Sequence, residues 1–135
     1  MSTPAERRAA RTEARRLRGG RARKDGRASE FVAAFWLMAT GWRILAFRLK
    51  TPQGEIDLLA RRGGVLAVIE VKRRRTIAEA LEAVTRRQRL RLRAAAENLA
   101  AKRPDLARLS VRLDLIALAP GRWPRHIADA WAGMD

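Results

Sequence analysis

The sequence predicts a single mixed α/β domain whose elements follow the order αβββαβ. Three observations indicate this class. Apolar segments separated by turn residues succeed one another between positions 42 and 72, a capped helical pattern follows, and another apolar strand comes after that helix. A chain of 135 residues is long enough for one hydrophobic core. We therefore expect a mixed sheet flanked by helices.

The N-terminal segment differs in composition from the rest of the chain. Residues 1–29 hold ten basic and three acidic side chains, with only Met1 and Leu17 as larger apolar residues. Such a segment cannot bury a core. We expect a basic flexible tail over residues 1–26 and a folded domain over residues 27–135. The tail is either a solvated segment or an arm that contacts phosphates, although its composition also overlaps with that of organelle transit peptides.

The domain begins with a helix and three strands. Ser29 has the residue type of a helix cap, and the predicted helix after it continues to Ala39. This helix is apolar nearly all round, so we expect it to be buried. The three strands are predicted over residues 42–49, 55–61 and 65–72, with a turn over residues 51–54 and Gly63-Gly64 between the last two strands.

Two helices and two strands complete the domain. Capping-box patterns at Thr76 and Thr85 predict a short helix followed by a long one over about residues 86–102. A fourth strand is predicted over residues 111–117, and a weaker segment over residues 126–131 adds an edge strand.

Charge and composition limit the function classes. The net charge of +16 indicates a polyanionic partner, of which nucleic acid is the first candidate. The chain has no cysteine and a single histidine, His126, which excludes disulfides, thiol nucleophiles and histidine-based metal sites and fits a cytoplasmic location. The longest apolar run, residues 31–39, is too short to span a bilayer.

Acidic side chains interrupt the second and third strands. If Gly63-Gly64 forms a two-residue hairpin loop, Asp57 lies opposite Glu70 and Glu55 lies opposite Lys72. Opposed Cβ atoms lie about 5 Å apart, so the two carboxylates repel each other unless a cation neutralises them. Oxygen ligands favour Mg²⁺ or Mn²⁺. The alternative is a cross-strand ladder of salt bridges on a solvated face.

Lys72 stands out among the basic residues. Of 30 basic side chains only four are lysines, yet Lys72 directly precedes three arginines, Arg73, Arg74 and Arg75. A compact ammonium group beside a metal can stabilise the charge that develops on a phosphodiester or orient the attacking water, whereas a guanidinium is bulkier. This preference for lysine supports a catalytic role.

These residues carry a family resemblance. The arrangement of Asp57 and Glu70-x-Lys72 resembles the PD-(D/E)XK nuclease signature, and the element order is similar to the restriction-endonuclease-like core. The segments Gly41-Trp-Arg-Ile-Leu45, Gly54-Glu-Ile-Asp-Leu-Leu-Ala60 and Val68-Ile-Glu-Val-Lys-Arg73 resemble the YraN family of small bacterial proteins, described as related to Holliday-junction resolvases. The resemblance implies that Glu30, Asp57 and Glu70 bind metal and that Lys72 supports catalysis.

Other residues carry weaker hypotheses. Glu30 also suits the first turn of a helix, and Gln88 either approaches the site or caps its own helix. Arg112 and Asp114 are interpreted as a surface pair. The four tryptophans are expected in the core. Arginines of the long helix either solvate it or, with Arg73, Arg74 and Arg75, form a wall that contacts phosphates; these are Arg86, Arg87, Arg89, Arg91 and Arg93. The buried side of that helix is expected to carry Leu90, Leu92, Ala94 and Leu99.

The function predicted first is a Mg²⁺-dependent DNA endonuclease with branched or flapped DNA as a candidate substrate. A non-catalytic module that binds DNA or structured RNA is the second hypothesis, and a ribosome- or RNA-associated protein is the third. No phosphate-binding glycine loop and no Ser-His-Asp set is present, which argues against nucleotide-driven work and acyl transfer. The sequence leaves open whether the chain forms a homodimer.

Overall fold

The computed structural model describes the backbone of residues 3–134 and the side chains of residues 3–10 and 27–134. Its elements are α1 (Pro4–Ala39), β1 (Arg43–Thr51), β2 (Gly54–Arg62), β3 (Val65–Arg73), α2 (Ile77–Glu82), α3 (Arg86–Lys102), β4 (Ser110–Leu118) and β5 (Arg125–Ile127). The predicted αβββαβ order is confirmed, together with the short helix before α3 and the edge strand after β4.

Within this part of the chain the strands form one mixed sheet in the order β1-β2-β3-β4-β5. Strands β3 and β4 are parallel, because the segment with α2 and α3 crosses over between them. The other neighbouring strands are antiparallel, and a two-residue loop joins β1 to β2 and another joins β2 to β3. Helix α3 packs on one face, where Leu92 lies in a core with Leu59 and Val68. Helix α1 packs on the other, where Leu37 lies in a core with Leu58.

The hairpin between β2 and β3 has the predicted register near its loop. Arg62 pairs with Val65, and Gly63 takes the left-handed φ of 57° that this loop requires. Regular pairing extends only to Leu58 and its partner on β3, so the predicted pairing of Glu55 with Lys72 is not formed. Instead, Glu55 pairs with Lys50 of β1.

Helix α1 begins 26 residues before the predicted start at Glu30. Thr3 caps it in a capping box with Glu6, and Pro4 occupies its first turn. Ser29 is a buried residue inside the helix, so its assignment as a cap is wrong. Alanine and arginine have high helix propensity, which explains the extension. The flexibility of residues 1–26 stays a prediction, and the phosphate contacts expected of the tail depend largely on side chains 11–26, outside the described residues.

The expectation that the first helix is buried all round is wrong. Ala33 and Leu37 are buried, but Phe31 is 65% exposed and Phe35 is 74% exposed. A helix packed on one face of a sheet covers only its own facing stripe, so the opposite aromatic side chains stay in solvent.

Helix α3 also departs from the predicted burial. Leu90 is exposed and Arg89 is buried, where its Nη1 donates a hydrogen bond of 3.0 Å to the carbonyl of Val84 and its guanidinium lies 5.8 Å from the ring centre of Trp131. The hydrogen bond to the carbonyl and the contact with the indole offset part of the free-energy cost of removing this guanidinium from water. Arg89 is therefore not part of a solvent-facing basic wall.

Two of the four tryptophans are core residues as predicted, Trp36 is half-buried, and the fourth is exposed. Trp42 and Trp131 are buried, whereas Trp123 is 79% exposed. Gly121, in the segment between β4 and β5, has a left-handed φ of 70°. No helix in residues 3–134 is both long and apolar enough to cross a membrane.

Candidate active site

Two carboxyl groups meet where the β2–β3 ladder ends. Asp57 on β2 and Glu70 on β3 lie close enough for each to change the pKa of the other, and the Glu70 side chain is only 12% exposed. Oδ2 of Asp57 accepts a hydrogen bond of 3.0 Å from the Val71 N–H. Asp57 therefore contacts the neighbouring strand through its side chain, beyond the last backbone pair of the β2–β3 ladder. Its other carboxylate oxygen does not take part in this bond.

Burial and mutual repulsion change the protonation of this pair. Burial raises the pKa of Asp57, although the Val71 N–H and the charge of Lys72 oppose that effect. Burial and the charge of Asp57 raise the pKa of Glu70 from its ordinary 4.5 to about 8. Ionisation of both carboxyl groups costs free energy because their negative charges repel each other. Near neutral pH the two groups therefore share one proton.

Lys72 lies beside the carboxyl pair. Its Nζ is 3.4 Å from Oε1 of Glu70, and it lies two residues further along the same face of β3. Its positive charge lowers the pKa of both acids and so offsets part of the burial cost. The ion pair runs along one strand, whereas the hairpin register had placed Glu55 opposite this lysine.

The site opens into a cavity of about 180 Å³ between the β1–β2 turn and the start of α3. Glu55, predicted opposite Lys72, and Gln88, predicted either to approach the site or to cap its helix, both line it. Gln88 also completes the capping box of α3, so its two predicted roles coexist. Arg91, predicted as part of the arginine wall, lines the cavity as well. Gln53 was not predicted, because only the fold brings the β1–β2 turn to the helix. The lining consists of Gln53, Gly54, Glu55, Asp57, Glu70, Gln88, Arg91 and Leu92.

Glu30 lies near this site but is held by a different partner. Nε of Arg48 donates a hydrogen bond of 2.5 Å to its Oε2. Burial raises the pKa of Glu30, the bond from Arg48 opposes this, and the charges of Asp57 and Glu55 raise it further. Arg48 has a left-handed φ of 46°, an uncommon conformation for a residue with a side chain. The sequence around Arg48 did not indicate that this arginine would bind Glu30.

The donor atoms at the site suit a hard divalent cation. Among the described side chains no three acidic or histidine residues stand together as a metal cluster. Asp57 and Glu70 nevertheless provide two carboxylates, and Mg²⁺ is commonly held by one or two carboxylates with water and phosphate oxygens as its other ligands. Glu30 as a third ligand stays a prediction that requires its bond to Arg48 to open.

The arginines expected to contact nucleic acid lie on the surface in two groups. The five arginines of these two groups are exposed, whereas Arg89 is buried and Arg93 is half-buried. Arg75 forms an ion pair of 3.5 Å with Glu79. Arg74 and Arg75 line a second cavity and not the one that holds the carboxyl pair. The first group is Arg73, Arg74 and Arg75 at the end of β3, and the second is Arg86 and Arg87 at the start of α3.

The prediction that Asp114 forms a surface pair with Arg112 is wrong in one respect, because Asp114 is buried. Its side chain is 0% exposed, accepts two hydrogen bonds from Arg112 at 2.8 and 2.9 Å, and lies 2.7 Å from Nε2 of His126. The Asp129 N–H donates a further bond of 2.9 Å. Burial alone would raise the pKa of Asp114, but the bonds from His126 and Arg112 outweigh it and lower the pKa. The interpretation failed because β5 brings His126 over this position.

The fold and site define a mixed α/β protein with a half-buried carboxyl pair and a lysine on its central hairpin. The chain belongs to the family described as "Uncharacterised protein family UPF0102", which residues 29–118 match. It is 66% identical over 119 residues to a UPF0102 protein of Caulobacter vibrioides strain NA1000, which covers 88% of this chain and 95% of the relative. It is 50% identical over 117 residues to a UPF0102 protein of Chelativorans sp. strain BNC1, with 87% and 94% covered.

Proposed function

We propose that this protein is a metal-dependent endonuclease that hydrolyses phosphodiester bonds in DNA. The observation that carries the proposal is the half-buried pair Asp57 and Glu70 with Lys72 beside it. Carboxylates that are partly buried in a sheet reduce the stability of the fold. Strongly perturbed acids in a cavity are typical of functional sites, so we interpret this cost as the result of a function. The net charge of +16 supports a nucleic-acid substrate.

Each residue has a definite part in this proposal. Asp57 and Glu70 would hold the cation through their free carboxylate oxygens, and Val71 keeps Asp57 in place by its N–H. Lys72 would donate to a phosphate oxygen on which negative charge grows. When bound, the cation supplies Lewis-acid polarisation of the phosphate and activation of water. The reaction adds one water across the phosphodiester and releases a phosphate end and a hydroxyl end.

The basic surface extends this site to a long substrate. Exposed Arg73 and Arg74 follow Lys72 directly, and Arg86 and Arg87 open the helix whose Gln88 lines the cavity. Guanidinium groups bind phosphates in a bidentate geometry, so arginines on either side of the carboxyl pair would align a DNA backbone across it. A cytoplasmic location, where bacterial DNA lies, is part of the same proposal.

A second candidate is a DNA- or RNA-binding protein that retains the fold without catalysis. The observation in its favour is that Arg48 binds Glu30, so that the described side chains form no cluster of three acids. Such a protein would bind nucleic acid through its basic surface, and removal of Asp57 or Glu70 would leave its function unchanged.

Cleavage assays on linear, flapped and four-way DNA with Mg²⁺, Mn²⁺ or chelator separate the two candidates. We expect metal-dependent cleavage that is lost in Asp57→Asn and in Glu70→Gln, because each change removes a ligand charge and keeps the shape. Glu97→Gln, an exposed acid on α3, is the matched control and should keep full activity. Binding of Mn²⁺, measured by calorimetry, should weaken in the same two variants.

The endonuclease proposal fails if purified protein cleaves none of these DNAs while Mn²⁺ and DNA both bind. It also fails if cleavage resists chelator or persists in both site variants, since a contaminating nuclease would behave in that way.

A further inference from the structure

A second cavity opens at the carboxyl ends of the parallel strands β3 and β4. Its volume is about 480 Å³, within the usual range for a ligand pocket. Its lining combines apolar side chains with four arginines and contains no acidic residue; the arginines are Arg74, Arg75, Arg122 and Arg125. A cavity of this kind fits a ligand that has both an apolar and an anionic part.

Trp123 provides the apolar surface of this cavity. It is 79% exposed, and its ring centre lies 5.9 Å from that of Trp36 with 35° between the ring planes. Trp36 therefore contacts the indole from α1 and leaves most of it in solvent. An indole ring can bury roughly 150 to 250 Å² of surface when another group packs on it. Nucleobases stack on exposed aromatic rings of this type.

Three of the four arginines of the cavity, Arg74, Arg122 and Arg125, form no ion pair with a carboxylate in the described part of the chain. Arg75 pairs with Glu79, but no acidic side chain in the described part of the chain forms an ion pair with Arg122 or Arg125. Both flank Trp123 closely in sequence, so their charges lie beside the indole. Uncompensated guanidinium groups next to an aromatic ring match a phosphate attached to a base.

The cavity adjoins the carboxyl-pair site. In the parallel ladder Lys72 pairs with Ala117 and Arg73 pairs with Leu118, and both partners line the cavity. Adjacent strands lie about 4.8 Å apart. One nucleotide held in the cavity would therefore lie within a few nucleotides of a phosphate at Lys72.

We propose that this cavity binds one unpaired nucleotide, with its base stacked on Trp123 and its phosphate on Arg122 and Arg125. The inference rests on the nucleic-acid-binding part of the proposed function and gives its substrate class, DNA with an unpaired strand beside the duplex. A base within a duplex is stacked on its neighbours and cannot reach the indole. A free nucleoside monophosphate has the same chemistry, so the experiment distinguishes the two sources.

The test is equilibrium binding of fluorescently labelled DNA to the full chain in EDTA, which prevents cleavage. The two probes are a blunt duplex and the same duplex with a short single-stranded extension. Trp123→Ala should weaken binding to the extended DNA about five- to a hundredfold, the range expected for loss of one stacked base, with little change for the blunt duplex. Trp123→Phe should retain most of the affinity, because a smaller aromatic ring still stacks.

Two matched controls accompany these variants. Phe35→Ala removes an equally exposed aromatic ring from α1 outside the cavity, and it should not change the preference for the extended DNA. Arg122→Ala should weaken binding to the extended DNA more than Arg108→Ala, which removes the same charge just before β4, at the opposite end of that strand.

Competition by deoxyadenosine monophosphate identifies the source of the nucleotide. Displacement of extended DNA from wild type but not from Trp123→Ala supports the proposal with the unpaired strand as ligand. Saturable binding of the monophosphate that depends on Trp123, with no effect on DNA, supports the cavity with a free nucleotide as its ligand. Equal behaviour of Trp123→Ala and Phe35→Ala on both DNAs overturns the proposal.

Failure of this inference is distinct from failure of the endonuclease proposal. Binding in EDTA does not require catalysis, so a preference for extended DNA that depends on Trp123 stands even if no DNA is cleaved. Metal-dependent cleavage with no role for Trp123 would leave the endonuclease proposal intact and remove only the nucleotide site.

Discussion

The substitution Glu70→Gln should make the protein more stable at alkaline pH. The pKa of Glu70 is raised from 4.5 to about 8 by burial and by the charge of Asp57. A raised carboxyl pKa contributes stability that is fully present below 4.5 and is lost as pH rises through about 8, because the folded state then has to give up a proton that it binds more tightly than the unfolded state does. Glutamine imitates the protonated acid and cannot ionise.

The magnitude follows from the size of the shift. Each pKa unit corresponds to about 1.4 kcal/mol, so the alkaline penalty is on the order of 3 to 5 kcal/mol as an upper bound. The penalty is shared with Asp57, which competes for the same proton. We expect wild type and Glu70→Gln to have similar free energies of unfolding at about pH 4 and to diverge by a few kcal/mol at about pH 9.

Urea unfolding of both proteins across this pH range measures the difference. Glu97→Gln, which removes an exposed acid, is the control and should follow the wild-type curve. Mg²⁺ at alkaline pH should restore stability to wild type and not to Glu70→Gln, since binding to the folded state alone stabilises it. Parallel curves for wild type and Glu70→Gln would refute the reasoning, because they would mean that Glu70 titrates normally in the folded protein.

Two further predictions concern residues on β3 and β4. Lys72→Arg should lower the cleavage rate nearly as much as Lys72→Ala with DNA affinity unchanged, because a guanidinium does not fit where Nζ lies 3.4 Å from Glu70; full activity of Lys72→Arg would contradict a catalytic lysine. Asp114→Asn should lower the free energy of unfolding by about 3 kcal/mol at neutral pH, since it leaves Arg112 and His126 without their charged partner. The lowered pKa of Asp114 contributes stability above its ordinary 3.8 that is lost as pH falls through the folded value, so urea unfolding in acid should show a smaller difference; an equal difference at both pH values would contradict this.

Local patterns were sufficient for most of the fold. The strand bounds and the hairpin register near Gly63 follow from a two-residue loop, because loop length alone decides which residues face each other next to it. The start of α1 was also encoded locally, since Thr3, Pro4 and Glu6 form a cap that the composition of the tail obscured. The sequence argument also brought Asp57 and Glu70 together, and in the structure the two groups are close enough to change each other's pKa.

The sequence by itself therefore determined the elements, their order and the identity of the carboxyl pair, because turns and alternation act over a few residues. Only the tertiary structure decided which side chains surround them. Asp114 is buried because β5 returns His126 from twelve residues away, and Glu30 is held by Arg48 across 18 residues of chain. The 79% exposure of Trp123 and its ring contact with Trp36 of α1 likewise depend on packing between distant parts of the chain. Burial and partners at long sequence separation are properties of packing, and a local pattern does not contain them.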